Sequence, residues 1–316
     1  MIESALHIRS FQEQGVMQDF AAADQSIIRT LSYFDIFHYP LTAEEIRQFL
    51  DQKVDKVSFQ QWIKGLQDQK KIFFHNGFYS IQNNPLLAIR RKQGNQYAAI
   101  LLAKAMSIGH FLHQFPFVRS IGISGSLSKN FADEKADIDF FIITKADRLW
   151  IARTFMHLYK KLTFLTGKQH LYCMNYYLDE NALLLKDQNI FTAIELKTLL
   201  PVTGEKQMQD LFTANQWADE LLPACEFRRQ EGKAPLNKFF KRSIEWLLSG
   251  RIGNYIEYFL FRLTKKRWKR KEVQGKRNEK GQTMGLITDK HSARSNPGDF
   301  QEKVLALYEQ KLRANL

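Results

Sequence analysis

Apolar residues recur along this chain with two periods, and the change from one period to the other marks out its elements. From Asp24 to Phe37 the apolar positions Ile27, Ile28, Leu31, Phe34 and Phe37 stand at helical spacing behind an acidic start, which predicts a first helix. HYPLTAEEIRQFL follows with a proline stop. Thr42 and Glu45 then form a capping box that opens a second helix carrying Ile46, Phe49 and Leu50. VSFQQWIKGLQDQKKI predicts a third helix, with Ser58 as its cap, Gln61 as the cap's partner, and Trp62, Ile63 and Leu66 as its apolar stripe. In IFFHNGFYSI the period shortens. Two β-prone runs flank Asn76-Gly77, the dipeptide that best accepts the positive φ angles of a tight hairpin.

Three helices and a hairpin predict a winged helix over residues 1–90. In that architecture the third helix commonly reads a nucleic-acid groove, and its outward residues here include Gln60, Lys64, Gln67, Lys70 and Lys71. The same architecture also serves protein docking. Residues 82–96, with NNP and RRKQGNQ, read as a linker. A helix from Tyr97 to about Gln114, a strand VRSIGI, a long amphipathic helix in ADRLWIARTFMHLYKKLTFLTG, a strand LYCMNYYL and a helix IFTAIELKTLL ended by Pro201 follow. From Gln207 onward the pattern is helical with basic interruptions, so residues 206–316 read as a basic helical region. The fold class expected is α+β.

Composition narrows the setting. Among the 316 residues, 44% are hydrophobic, ample for packed cores, and no apolar run approaches the roughly 18–20 residues of a membrane helix. Met1 to Arg9 lacks the layout of a secretory signal. Cys173 and Cys225 stand far apart with no CxxC, which supports neither a disulfide framework nor a thiolate zinc site and makes a reducing cytoplasm the expected location. The 46 Lys+Arg against 33 Asp+Glu give a net charge of +13, and TKKRWKRKEVQGKRNEK at 264–280 supplies +7 of it from nine basic and two acidic residues. Lys265, Lys266, Arg267, Lys269 and Arg270 would attract a polyanion through counterion release, and Trp268 could stack on a base. A solvated helix end would carry the same charges.

The candidate chemistry lies in GISGSLSKNFADEKADIDFFIIT, residues 122–144. In an extended segment Asp137 and Asp139 face one way and Ile138 and Phe140 the other, so the carboxylates stand about 6–7 Å apart. They repel one another unless a cation intervenes, and hard oxygen ligands suit Mg²⁺ or Mn²⁺. Upstream, Gly125 allows close approach of an anion, Ser126 offers a hydroxyl and an N–H to phosphate oxygens, and Lys129 adds positive charge. Together they describe a site for a metal-bridged nucleoside triphosphate.

The order of these parts, ISGS, the spacer LSKNFADEKA and then DIDF, resembles the nucleotidyltransferase superfamily of the DNA polymerase beta type. The likeness covers roughly Pro116 to Gly204, including a closing helix and Pro-Val-x-Gly segment in TAIELKTLLPVTG. It implies a small mixed sheet flanked by helices within a domain at 95–205, and transfer of a nucleoside monophosphate with release of pyrophosphate. Gly125, Ser126 and Lys129 would then hold the nucleotide, and Asp137 and Asp139 the metals. The family's third carboxylate has no clear counterpart: Asn175 best fills its position, with Asp179 and Glu180 as alternatives if the register differs. A nucleic-acid-binding regulator with a degenerate, nucleotide-sensing transferase domain is the rival expectation.

Overall fold

The computed structural model describes residues 23–134, 136–229, 239–277, 281, 283, 285–295 and 297–316. The chain is a mixed α+β protein that divides into two compact units. The first takes in the described residues up to Lys92, with Asp219–Glu226 and Lys303–Leu316; the second takes in the described residues of Gln93–Ala218 and Phe227–Glu302. Residues 206–316 therefore contribute to both units.

In the first unit residues 23–35 are helical (α1) and bury Ile27, Ile28, Leu31 and Phe34. Helix α2 (Ala43–Gln48) opens with the expected capping box: Glu45 N–H donates to Thr42 Oγ1 at 3.2 Å, and Thr42 N–H donates to Glu45 Oε2 at 2.9 Å. Helix α3 (Lys56–Asp68) starts one turn earlier than expected, because Asp55, not Ser58, accepts the orphan N–H groups of Val57 and Ser58. It buries Phe59, Ile63 and Leu66, whereas Trp62 is only half-buried. Strands β1 (Phe73–His75) and β2 (Phe78–Ser80) pair antiparallel around Asn76 (φ 52°) and Gly77 (φ 95°), the positive-φ pair of a tight turn. Leu41 adds a bridge to Tyr79 beside the hairpin.

The expected linker is absent. Residues 82–96 enter a single helix, α4 (Pro85–Leu112), and Gly94 lies inside it where a Cβ would fall 2.2 Å from the Phe131 ring. The glycine admits a neighbour; it does not break the helix. Arg91, also within the expected linker, is buried against Glu45 at 2.6 Å and against the Pro40 carbonyl at 2.7 Å.

The second unit is built on a six-stranded sheet in the order β6-β3-β4-β5-β8-β7. Its members are β3 (Val118–Ser124), β4 (Asp139–Thr144), β5 (Cys173–Asp179), β6 (Leu200–Thr203), β7 (Leu286–Thr288) and β8 (Ser292–Ser295). Only β4 and β5 run parallel, joined by the crossover helix α6 (Leu149–Thr163); the other pairs are antiparallel. The expected helix IFTAIELKTLL forms over Ile190–Thr198, and Pro201 beyond it lies in β6, an edge strand on β3, where proline is tolerated. The hairpin β7–β8 also corrects the all-helical expectation for the C-terminal region.

Alternation sorts the sheet's two faces. Ile121, Ile123, Phe140, Ile142 and Tyr177 join Ala105, Trp150 and Met156 in the main core. On the other face Gly122 lets Leu199 and Met208 approach to 3.0 and 3.1 Å of its Cβ position. These come from the end of α7 (Ile190–Thr198) and from α8 (Glu205–Ala214). A short α9 (Ala218–Leu221) follows. Helix α10 (Phe239–Leu247) docks through Glu245, which takes both Arg119 guanidinium nitrogens at 2.8 and 3.0 Å. Helix α11 (Arg251–Val273) caps α6: Glu257 accepts the N–H groups of Trp150 and Ile151 at 2.7 and 2.9 Å. Helix α12 (Phe300–Asn315) ends the chain, its residues from Lys303 on lying in the first unit.

Candidate functional site

The Gly-Ser turn and the first aspartate of β4 meet at the end of the β3–β4 ladder, where Ser124 pairs with Asp139. Gly125 leaves β3 at φ +71°, and a Cβ there would lie 2.5 Å from Asp139 Oδ2. Glycine is required twice, by the backbone angle and by the carboxylate. Helix α5 (Gly125–Ser128) is a single turn with Ser126 exposed at its start. Asp137 precedes β4, and the alternation expected of this segment holds: Ile138 and Phe140 are fully buried while Asp137 and Asp139 are half-buried. Ile138 N–H donates to the His170 carbonyl at 3.2 Å, which fixes the segment's direction just before the strand.

Asn175 is the residue beside Asp139. A bulge in β5 between the partners of Phe140 and Phe141 leaves it as the extra residue, and its Nδ2 donates to Asp139 Oδ1 at 2.5 Å. Its oxygen is turned instead to the Cys173 thiol, whose Sγ lies at 3.1 Å. Burial, followed by the Asp139 charge, pushes that thiol up to about 12.

Asp179 and Glu180 are far from this point. Asp139 pairs with Cys173 and Thr144 with Asp179, so five residues at about 3.3 Å each, or about 16 Å, separate the two ends of the strand. Asp179 is fully buried and accepts from Asp147 N–H at 2.9 Å and Asn181 N–H at 3.0 Å, with His291 Nδ1 at 2.8 Å. Asp147, Asp179 and His291 are close enough to hold a metal ion. The same three groups knit the turn before α6 to the start of β8, with Lys290 paired to Asp147 at 2.7 Å. Glu180 accepts Ala146 N–H at 3.2 Å and Gln207 Nε2 at 3.1 Å. Both expected substitutes for a third carboxylate are thus committed elsewhere.

One participant carries no motif of its own. Glu195 on α7 accepts Gly125 N–H at 3.3 Å and pairs with Lys129 at 2.7 Å, while Lys129 also donates to the Gly125 carbonyl at 3.1 Å. A carboxylate therefore engages Gly125 and Lys129, two of the three residues expected to hold the nucleotide. A cleft of about 220 Å³ opens beside Asp139, Asn175 and Glu195. The Phe141 and Tyr176 rings stack in its wall at 4.9 Å, Phe191 and Phe300 meet edge-on at 6.0 Å, and Arg294 donates to Gln301 at 2.9 Å.

The expected nucleic-acid contacts fall in different units. Gln60 and Lys64 are exposed on α3 in the first. Lys265, Lys266, Arg267, Lys269 and Arg270 are exposed on α11 in the second, whereas Trp268 is half-buried beneath Lys271, whose Nζ lies 4.5 Å from the ring centroid. No described helix is long and apolar enough to cross a membrane. Comparisons with protein-family models, curated proteins and solved structures find no match.

Proposed function

We propose that the second unit is a metal-dependent nucleotidyltransferase of the polymerase beta type, which moves a nucleoside monophosphate from a triphosphate to an acceptor. The observation that supports it most is the contact between the Gly125 turn and Asp139, which sets potential phosphate donors against a carboxylate at the mouth of an aromatic cleft.

The donor set fits a hard divalent cation: Asp137 and Asp139 supply carboxylate oxygens, while Asn175 positions Asp139 through its Nδ2. Mg²⁺ held there would neutralise phosphate charge and make phosphorus more electrophilic. Gly125 N–H and Lys129 Nζ would bind phosphate oxygens once Glu195 moves off them. The stacked Phe141–Tyr176 wall would exclude water and receive a planar base. The acceptor hydroxyl would form the new bond to the α-phosphorus and give up its proton to solvent, the bond to the bridging oxygen would break, and pyrophosphate would leave. For the first unit we infer a winged helix, with Gln60 and Lys64 on α3 as its outward contacts to nucleic acid.

A second reading has one observation in its favour. An amide, not a carboxylate, stands beside Asp139, so the site would sense triphosphate without turnover as part of a nucleic-acid-binding regulator. Incubation with each labelled triphosphate, Mg²⁺ or Mn²⁺ and candidate acceptors separates the two. Pyrophosphate release that Asp137→Ala/Asp139→Ala abolishes supports the transferase; metal-dependent binding without release supports the sensor. Absence of binding refutes both.

A further inference from the structure

Arg153 and His157 stand one turn apart on α6, and each turns a polar atom into the protein without a partner. Arg153 is 8% exposed, with its Nε shut off from solvent and unbonded. Its guanidinium lies against the faces of Trp150 and Tyr177, 5.7 and 5.9 Å from their centroids. His157 Nε2 is likewise enclosed and unbonded, with its ring 6.1 Å from that of Tyr177. A cation withdrawn from water is costly unless an anion meets it.

The neighbourhood deepens the imbalance. Helix α11 packs along α6 and turns Ile256, Leu260 and Phe261 to the core, with the half-buried Trp268 and Lys271 beyond them. Burial holds the His157 ring well below its ordinary value, and the charges of Arg153, Lys160, Lys161 and Lys271 add to that effect. Burial also lowers Lys271, helped by Arg267, Lys276, Arg153 and Lys161. Burial is the largest cause in all three groups, and neighbouring cations follow it for His157 and Lys271.

We propose that the α6–α11 pair forms a binding site for a phosphate monoester, with Arg153 and His157 as its floor and Lys160, Lys161 and Lys271 as its rim. A terminal phosphate, nearly dianionic at neutral pH, matches this cluster of cations and its enclosed, unbonded nitrogens. It also presents three free oxygens to such nitrogens, whereas an internal phosphodiester carries a sugar on both sides. Two carriers of such a group are a free nucleotide and a 5′-phosphorylated strand, and the exposed Lys265, Lys266, Lys269 and Arg270 just before Lys271 on α11 favour the strand. Lys160 also acts on the Cys173 thiol, the register partner of Asp139, so the rim and the candidate carboxylates share one end of the sheet. That the carrier is the transferase's acceptor rests on the reading above; the binding site does not.

Calorimetry on the full chain tests the site with adenosine monophosphate and with one short single strand bearing a 5′-phosphate or a 5′-hydroxyl. The phosphorylated strand should bind about tenfold or more tightly, the order that a charge-assisted hydrogen bond contributes. Adenosine monophosphate should compete with it, and Arg153→Met should remove the preference. Adenosine monophosphate bound through Arg153 without a strand preference would support the site and name a free nucleotide as its carrier. If Arg153→Met melts early, Lys160→Ala/Lys271→Ala carries the same test, and an undiminished preference there overturns the proposal. Equal affinity for both strands with no binding of adenosine monophosphate overturns it too, as would phosphatidylserine vesicles being the only probe bound, equally by wild type and variants. Asp137→Ala/Asp139→Ala should leave this binding intact, which separates its failure from that of the transferase reading.

Discussion

Glu195 and Lys129 form an ion pair at 2.7 Å across the Gly-Ser turn, and the second Glu195 oxygen accepts Gly125 N–H. A triphosphate that uses those two donors must first displace this carboxylate. Glu195→Gln keeps the side chain's size and removes the competing charge, so triphosphate affinity should rise by about fivefold or more, the order of one typical hydrogen bond. Lys129→Ala should lower it. Titration with a fluorescent triphosphate in Mg²⁺ checks both, and weaker binding by Glu195→Gln would show that Glu195 holds the cation.

Asn175 donates to an Asp139 oxygen, and a carboxylate in its place would set two negative groups against each other. Without divalent cations Asn175→Asp should therefore lose about 1–3 kcal/mol of stability, because a hydrogen bond to a charged group is replaced by repulsion. Mg²⁺ should restore more stability to the variant than it adds to the wild type, and pyrophosphate release, if the site turns over, should quicken. Thermal melts with and without Mg²⁺ check the first expectation. A Mg²⁺ response no larger than that of the wild type would place the cation elsewhere.

What the sequence makes legible here is local. Thr42 and Glu45 form the expected capping box, Asn76-Gly77 turns the expected hairpin, and Ile138 and Phe140 face away from Asp137 and Asp139 as alternation requires. Each follows from neighbours a few residues apart. The misreadings depend on distant partners. RRKQGNQ reads as a linker until the Phe131 ring is packed against Gly94 within a helix, and LPVT, which does end the preceding helix, shows no strand until β3 offers it a ladder. Glu195 lies within an ordinary amphipathic stretch, and only the fold carries it to Gly125. The β7–β8 hairpin is hidden in a basic region because its strands are three and four residues long.

Glu245 ties α10 to β3 through Arg119 and the Phe117 N–H. Burial pushes its carboxyl up, but the Arg119 and Phe117 hydrogen bonds outweigh this and hold it below the usual 4.5. The folded protein then binds fewer protons here than the unfolded chain. The stabilisation is complete above about pH 4.5 and is lost as pH falls through the folded-state value. Glu245→Gln should cost about 1–3 kcal/mol at neutral pH. Its melting temperature should converge on that of wild type as the solution is acidified below 4.5. A gap that stays constant with pH would mean that the side chain acts by packing alone.

Gly125 is the position where backbone and function are hardest to separate, and Gly77 supplies the comparison. Both have positive φ, +71° and +95°, so alanine strains either backbone by about 1–2 kcal/mol. A Cβ at Gly77 would meet nothing within 4 Å, whereas at Gly125 it would lie 2.5 Å from Asp139 Oδ2. Gly77→Ala should lower the melting temperature and leave triphosphate binding unchanged. Gly125→Ala must in addition drive Asp139 from its bond with Asn175 or tilt the Gly125 N–H away from the cleft. It should therefore lose Mg²⁺-dependent triphosphate affinity by about tenfold or more, beyond what the shared backbone strain explains. Melting curves and calorimetry on the two variants make the comparison. Equal triphosphate affinity in the two would mean that the Gly-Ser turn serves only to reverse the chain.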